Sequence, residues 1–160
     1  MLVKMENPIG GGQKVTQSQR VIPSSIISSA GLDMTSTLNA INNSSVGWYG
    51  GSLNVDHKLN ITLPSSKNIL GVIACVGAAD GNQVKWDFTL NITDSSFNVK
   101  KQVDKKTDLI TTNHWNVSNP DTIGFNDAKE ESQYLQLVFN SKTGNASYGI
   151  IVEYIFVYVE

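Results

Sequence analysis

Eleven consecutive residues, Leu53 to Leu63, alternate between two chemistries. Leu53, Val55, His57, Leu59, Ile61 and Leu63 share one parity, and Asn54, Asp56, Lys58, Asn60 and Thr62 share the other. Successive side chains of an extended chain point to opposite faces, so this stretch reads as a strand with one face buried. The pattern returns at residues 84–93, where Val84, Trp86, Phe88, Leu90 and Ile92 alternate with Lys85, Asp87, Thr89, Asn91 and Thr93. Asp94-Ser95-Ser96 then supplies a turn, and Phe97, Val99, Lys101 and Val103 read as the partner strand of a hairpin. Tyr134 to Phe139 and Tyr148 to Val159 give further strands.

Between these segments the signals are shorter. Ile69 to Val76 is a continuous apolar run, the pattern of a central strand covered on both sides. Pro64-Ser65-Ser66 is expected to end the strand before it. Asp127 and Glu130 have capping-box spacing, which predicts one helical turn over residues 128–132. In the last strand Ile150, Val152, Tyr154, Phe156 and Tyr158 share a parity, and Ile151, Ile155, Val157 and Val159 share the other, interrupted by Glu153. Both faces of that strand need cover. About eight strands with short connections and almost no helix predict an all-β fold. The expected form is an antiparallel β-sandwich of the jelly-roll kind.

This domain is expected to span residues 46–160. Residues 1–45 differ: Gly10-Gly11-Gly12 and many Ser, Thr, Gln and Asn surround scattered apolar residues. Such a segment buries too little apolar surface to offset its own ordering entropy. It reads as an extended N-terminal arm ordered by a neighbouring subunit, with an edge strand around Val21 to Ile27 and a loose helical spacing of Met34, Leu38 and Ile41. The expected subunit contacts are Val21, Ile22, Ile26 and Ile27 of the arm, with Ile151, Ile155 and Val157 of the last strand. On this reading a chain lacking residues 1–45 still folds but no longer assembles.

Composition removes several functions. The formal net charge is −2, so the basic footprint of a nucleic-acid binder is missing. Lys100, Lys101, Lys105 and Lys106 read as a solvated strand end. No run approaches the length of a membrane-spanning helix, so no membrane insertion is expected, and synthesis without a signal peptide is expected because no continuous apolar stretch opens the sequence. The single cysteine, Cys75, reads as a buried thiol. The only histidines are His57 and His114, and neither a G-x-S-x-G elbow nor metal-ligand spacing is present. No catalytic residue, cofactor or metal is therefore expected, and the chain does not read as an enzyme.

Two ring clusters stand out. Trp48-Tyr49 is bracketed by glycines, and Trp115 follows Asn113-His114. Aromatic rings beside amide side chains form platforms for sugars or anchor subunit contacts. Trp48, Tyr49, Asn113 and Trp115 are the candidate sugar contacts.

A β domain, a polar arm and no catalytic motif resemble, in general character, the jelly-roll and β-sandwich proteins of virus and phage particles. The resemblance implies a structural component of a virion: a minor capsid, decoration, vertex or fibre protein. It would bind copies of itself and other particle proteins. The alternative is a carbohydrate- or receptor-binding sandwich whose partner is a host glycan.

Overall fold

A computed structural model describes residues 18–38, 48–50, 55–78, 84–111, 121–124, 130–143 and 150–160. They form β1 (Gln19–Val21), β2 (Ser25–Ser28), a one-turn helix α1 (Thr35–Leu38), β3 (Trp48–Gly50), β4 (Asp56–Ala78), β5 (Val84–Thr93), β6 (Val99–Thr111), β7 (Asp121–Gly124), β8 (Glu130–Thr143) and β9 (Ile150–Val159). Every strand pairing is antiparallel.

The fold turns on β4, which is 23 residues long. Its first half pairs with β8 on one side and β2 on the other. Its second half pairs with β9 and β7. One strand thus belongs to two sheets: β2–β4–β8–β5–β6, and a second in which β4 lies between β7 and β9, with β1 and β3 on the far edge of β9. The two sheets close over one core. Leu59, Ile61, Phe88, Leu90, Leu135, Leu137 and Phe139 come from the first sheet, and Val72, Ala74, Val152, Ile155, Val157 and Val159 from the second. The architecture is an antiparallel β-sandwich.

Pro64-Ser65-Ser66 marks the passage between the sheets rather than a strand end. Thr62 pairs with Tyr134 and Lys67 with Ser132, so Leu63 to Ser66 stand opposite Gln133 alone. Proline has no N–H for the ladder, so a bulge is where the strand can hold it. Gln133 Nε2 donates to the Leu63 carbonyl at 3.0 Å, replacing a ladder bond with a side-chain one. Ser132 Oγ meanwhile accepts from the Tyr134 N–H and donates to its carbonyl.

A second bulge revises β9. Cys75 pairs with Tyr154 but Val76 pairs with Val152, which leaves Glu153 extra. Parity flips there, so the core takes Val152, then Ile155, Val157 and Val159. Tyr154 and Phe156 stack on each other at 4.6 Å on the other face, and the Arg20 guanidinium lies 3.6 Å above the Phe156 ring. The helical turn expected at residues 128–132 is also replaced: Glu130–Ser132 is extended and paired with Lys67–Ile69.

Residues 18–38 correct the expectation of an arm ordered from outside. β1 pairs with β9, and β2 pairs with β4. Ile26 and Leu38 are fully buried in the common core. The segment between them is fastened locally: Asp33 Oδ1 accepts from both the N–H and the hydroxyl of Thr35, and Thr35 Oγ1 accepts from the Ile26 N–H at 2.9 Å. Gly31, at φ +80°, supplies the left-handed position of the turn between β2 and α1. A polar segment can be ordered by its own chain when a few of its apolar residues enter a core built mostly elsewhere.

The sheet edge is protected as well. Among the described residues β6 pairs with β5 alone, and Lys101 of β6 forms an ion pair with Glu130, while Lys106 lies 3.9 Å from Asp104. Charge along an edge strand discourages pairing with another chain.

Ile26→Ala is expected to destabilise the protein by about 2–5 kcal/mol, the usual cost of emptying a buried isoleucine site. The shift in urea midpoint measures it. A change within about 0.5 kcal/mol, as at exposed positions, would place β2 outside the core.

Candidate functional site

The outward face of β4–β8–β5–β6 is polar, because each of its strands sends its apolar parity inward. Residues that face each other across adjacent strands share a face, so the register defines rows across the sheet. Asp56 faces Asn140, which faces Asp87. Lys58 faces Val138, Val138 faces Thr89, and Thr89 faces Lys105. Asn60 faces Gln136, Gln136 faces Asn91, and Asn91 faces Gln102. Beyond them Thr62 faces Tyr134 and Thr93 faces Val99. There Phe97 packs edge-on to Tyr134 at 6.0 Å.

The first two rows, with Gln136, Asn91 and Gln102 of the third, line an open groove of about 630 Å³, within the size range of ligand-binding clefts, about 300–1,000 Å³. The third row is an amide ladder. Gln136 Nε2 donates to Asn60 Oδ1 at 2.9 Å. Asn91 is only 6% exposed, lines the groove, and has no side-chain hydrogen bond among the described residues. Buried amides are normally partnered, so Asn91 leaves donor and acceptor capacity directed at whatever fills the groove. In the first row Asn140 Nδ2 donates to Asp56 Oδ1 at 3.0 Å.

An ionic cluster closes one end. Lys142 Nζ lies 2.8 Å from Asp87 Oδ1 and 3.2 Å from Asp108 Oδ1, and Lys85 Nζ lies 3.1 Å from the same Asp108 oxygen. Asp108 adopts φ 55°, a left-handed conformation that aspartate tolerates, and its N–H donates to Asp87 at 3.0 Å. Burial works against the charged form of Asp87, but the hydrogen bonds from Lys142 and from the Asp108 N–H outweigh it and hold its carboxyl below the ordinary range. Hydrogen bonds from Lys85 and Lys142 lower Asp108 likewise. The bonds to Asp87 and Asp108 raise Lys142.

The residues named from sequence fall elsewhere. Ile26, Ile155 and Val157 are fully buried in the core of their own chain, which corrects their assignment to subunit contacts. Val21 packs partly buried against the same core, and Ile27 is half-buried opposite Asn60 on β2. Ile22 is 60% exposed. Ile151 pairs with Tyr49 and Gly77 through its backbone, and its side chain lies outside the described residues. The backbones of Trp48 and Tyr49 form β3 beside β9, and their side chains also lie outside the described residues. Asn113, His114 and Trp115 lie outside them altogether. His57 shares the face of Phe139, as its parity predicts. The lysines of β6 divide: Lys101 and Lys106 have acidic neighbours, Lys100 is exposed, and Lys105 lines the groove.

The groove itself was hidden in the polar parity of each strand. Asp56, Lys58 and Asn60, Asp87, Thr89 and Asn91, and Gln136, Val138 and Asn140 each read as a solvated strand face. Only the strand order β4–β8–β5–β6 gathers them. Among the described residues no group of three or more His, Cys, Asp or Glu side chains could hold a metal ion, and no helix is long and apolar enough to cross a membrane.

Neither a known protein-family profile nor a curated protein sequence matches the chain. Solved structures do. The family 32 carbohydrate-binding module (CBM32) of AlyQ, in complex with 4,5-unsaturated mannuronic acid, superposes with a TM-score of 0.58 at 13% identity, over 87% of this chain and 97% of that one. A truncated AlyQ carrying CBM32 and alginate lyase domains gives the same TM-score at 14% identity, over 88% of this chain, which spans only 33% of that one. The family 32 module from C. perfringens NanJ, in complex with galactose, has a TM-score of 0.53 at 14% identity, over 88% of this chain and 98% of that one. At these identities the likeness is one of fold: this chain is a β-sandwich built like those modules.

A carboxyl-carbon NMR titration checks the ionic cluster. Asp87 is expected to titrate below the free-chain value of about 3.9. Because its folded value is depressed, its stabilising contribution is complete above the free-chain value and is lost as pH falls through the folded value. Lys142→Met is expected to move the Asp87 midpoint upward. A midpoint at or above 3.9 in the unmodified protein, or no response to Lys142→Met, contradicts the assignment.

Proposed function

We propose that the chain is a non-catalytic carbohydrate-binding module and that the outward face of β4–β8–β5–β6 is its binding surface. The observation that carries this is the amide ladder Asn60–Gln136–Asn91–Gln102, of which Gln136, Asn91 and Gln102 line a groove of ligand size and Asn60 holds the Gln136 amide. A sugar hydroxyl both donates and accepts, and so does a primary amide, whereas an ammonium or a carboxylate does only one. A row of amides with a threonine beside it is suited to a ligand that presents hydroxyls at close intervals. The shared fold with modules solved in complex with sugars supports the same reading.

Nothing observed supports the assembly reading, and of the expected arm, residues 18–38 pair with β4 and β9 of their own chain. The ring platform keeps a place in the proposal as a second contact. Among the described residues β3 pairs only with β9 and lies at the edge of its sheet. Trp48 and Tyr49 sit on it, and Trp115 with Asn113 completes the set named from sequence.

A glycan array probed with the full chain, followed by calorimetry on the best saccharide, tests the proposal. Thr89→Ala and Gln102→Ala are expected to weaken binding by about two- to tenfold each, the worth of one hydrogen bond. Trp48→Ala is the control for the ring platform. If no saccharide binds, the proposal fails; if only Trp48→Ala weakens binding, the site is misplaced.

A further inference from the structure

The groove carries more positive charge than its hydroxyl-binding role requires. Its ionisable lining consists of Asp56, Lys58, Asp87, Lys105 and Lys142. Lys142 is occupied by Asp87 and Asp108. Asp56 accepts a hydrogen bond from Asn140 at the end of the face. Lys58 and Lys105 differ: among the described residues neither ammonium has a carboxylate within 4.0 Å. They flank the middle of the groove in one row, Lys58–Val138–Thr89–Lys105, three strand spacings or roughly 14 Å apart at the backbone. The row beside it is the amide ladder.

From this arrangement we infer that the groove binds an anionic saccharide, whose carboxylate or sulfate groups meet Lys58 on one wall and Lys105 on the other while its hydroxyls lie on Asn60, Gln136, Asn91 and Gln102. The inference rests on the carbohydrate-binding reading and adds the charge of the ligand to it. An ammonium gains more from a ligand of opposite charge than from a hydroxyl, because the charged hydrogen bond is roughly twice as strong as a neutral one. Asn91 strengthens the case for a built site, since the residue is 6% exposed and lines the groove, and its amide has no side-chain partner among the described residues.

A nucleic acid fits less well. Single-strand binders stack bases on aromatic rings along a basic track. The rows in question contain Val138 as their only apolar residue and no ring, and the whole chain is net negative. A neutral sugar would leave both ammonium groups with nothing to pair.

The test is calorimetry of the full chain at low and moderate salt with four probes: an oligogalacturonate, the same oligomer as its methyl ester, a sulfated galactan oligosaccharide, and a single-stranded oligothymidylate. Lys58→Gln and Lys105→Gln are measured alongside; both side chains are exposed, and thermal melts confirm that the variants are folded. The expected result is binding of the oligogalacturonate or the sulfated oligosaccharide, the tighter of the two identifying the acid group. The methyl ester is expected to bind about tenfold more weakly than the free acid, and each lysine variant to lose about tenfold for the acid and little for the ester. Affinity should fall as salt rises. Equal binding of acid and ester, unchanged affinity in both lysine variants, or oligothymidylate bound as tightly as the saccharides overturns the inference. If neutral glycans of the array bind and neither lysine matters, the charge assignment alone is lost; if no saccharide binds at all, the carbohydrate-binding reading falls with it.

Discussion

One strand serving two sheets is the constraint on which this molecule depends. β4 is hydrogen-bonded along its first half to β2 and β8, and along its second half to β7 and β9. Its register therefore sets the relative position of both layers. The bulge at Leu63–Ser66 is what makes the double membership feasible, because an unbroken ladder would keep the second half in the plane of the first. The unpaired backbone at that point is met by Gln133, so the change of sheet leaves the Leu63 carbonyl satisfied. Once β4 is fixed, Leu59 and Ile61 enter the core that Ile155 and Val157 share, and the polar parity of β4 faces outward.

That outward parity is where packing becomes function. Four neighbouring strands place their polar residues side by side. Aligned by cross-strand register, these residues form a ladder of amides, a threonine and lysines in a groove of ligand size. The cluster of Asp87, Asp108, Lys142 and Lys85 neutralises its own charges at one end of the groove. The middle keeps two ammonium groups and a buried amide with capacity to spare. On the proposed reading, recognition is a property of register and side-chain chemistry.

The alternating segments were legible because period two reports directly on which face is buried. Leu59, Ile61, Leu63, Trp86, Phe88, Leu90, Leu135, Leu137 and Phe139 all lie inside, as their parity predicts. Other features were not legible, for separable reasons. Pro64-Ser65-Ser66 is a local stop signal, and only pairing partners on both sides reveal that the strand resumes in another sheet. Glu153 looks like an interruption of a face, whereas the bulge it creates reassigns the faces beyond it. Average composition concealed the place of residues 18–38, since Ile26 and Leu38 need no apolar neighbours in sequence when β4 and β9 provide them in space. The groove required strand order, which periodicity does not encode, and the candidate sugar contacts Trp48, Tyr49, Asn113 and Trp115 were chosen by residue type with no strand pairing to place them.

The most direct measurement is a two-dimensional NMR titration of the side-chain amide and indole N–H signals with the saccharide that binds best. The amides of Asn60, Asn91, Gln102 and Gln136 should shift together with a single saturation curve, while that of Asn98, held by Asp94 in the β5–β6 turn, stays in place. Four unmoved ladder amides beside a shifting Trp48 indole would show that the sugar is gripped elsewhere and that the polar face of β4–β8–β5–β6 is merely solvated.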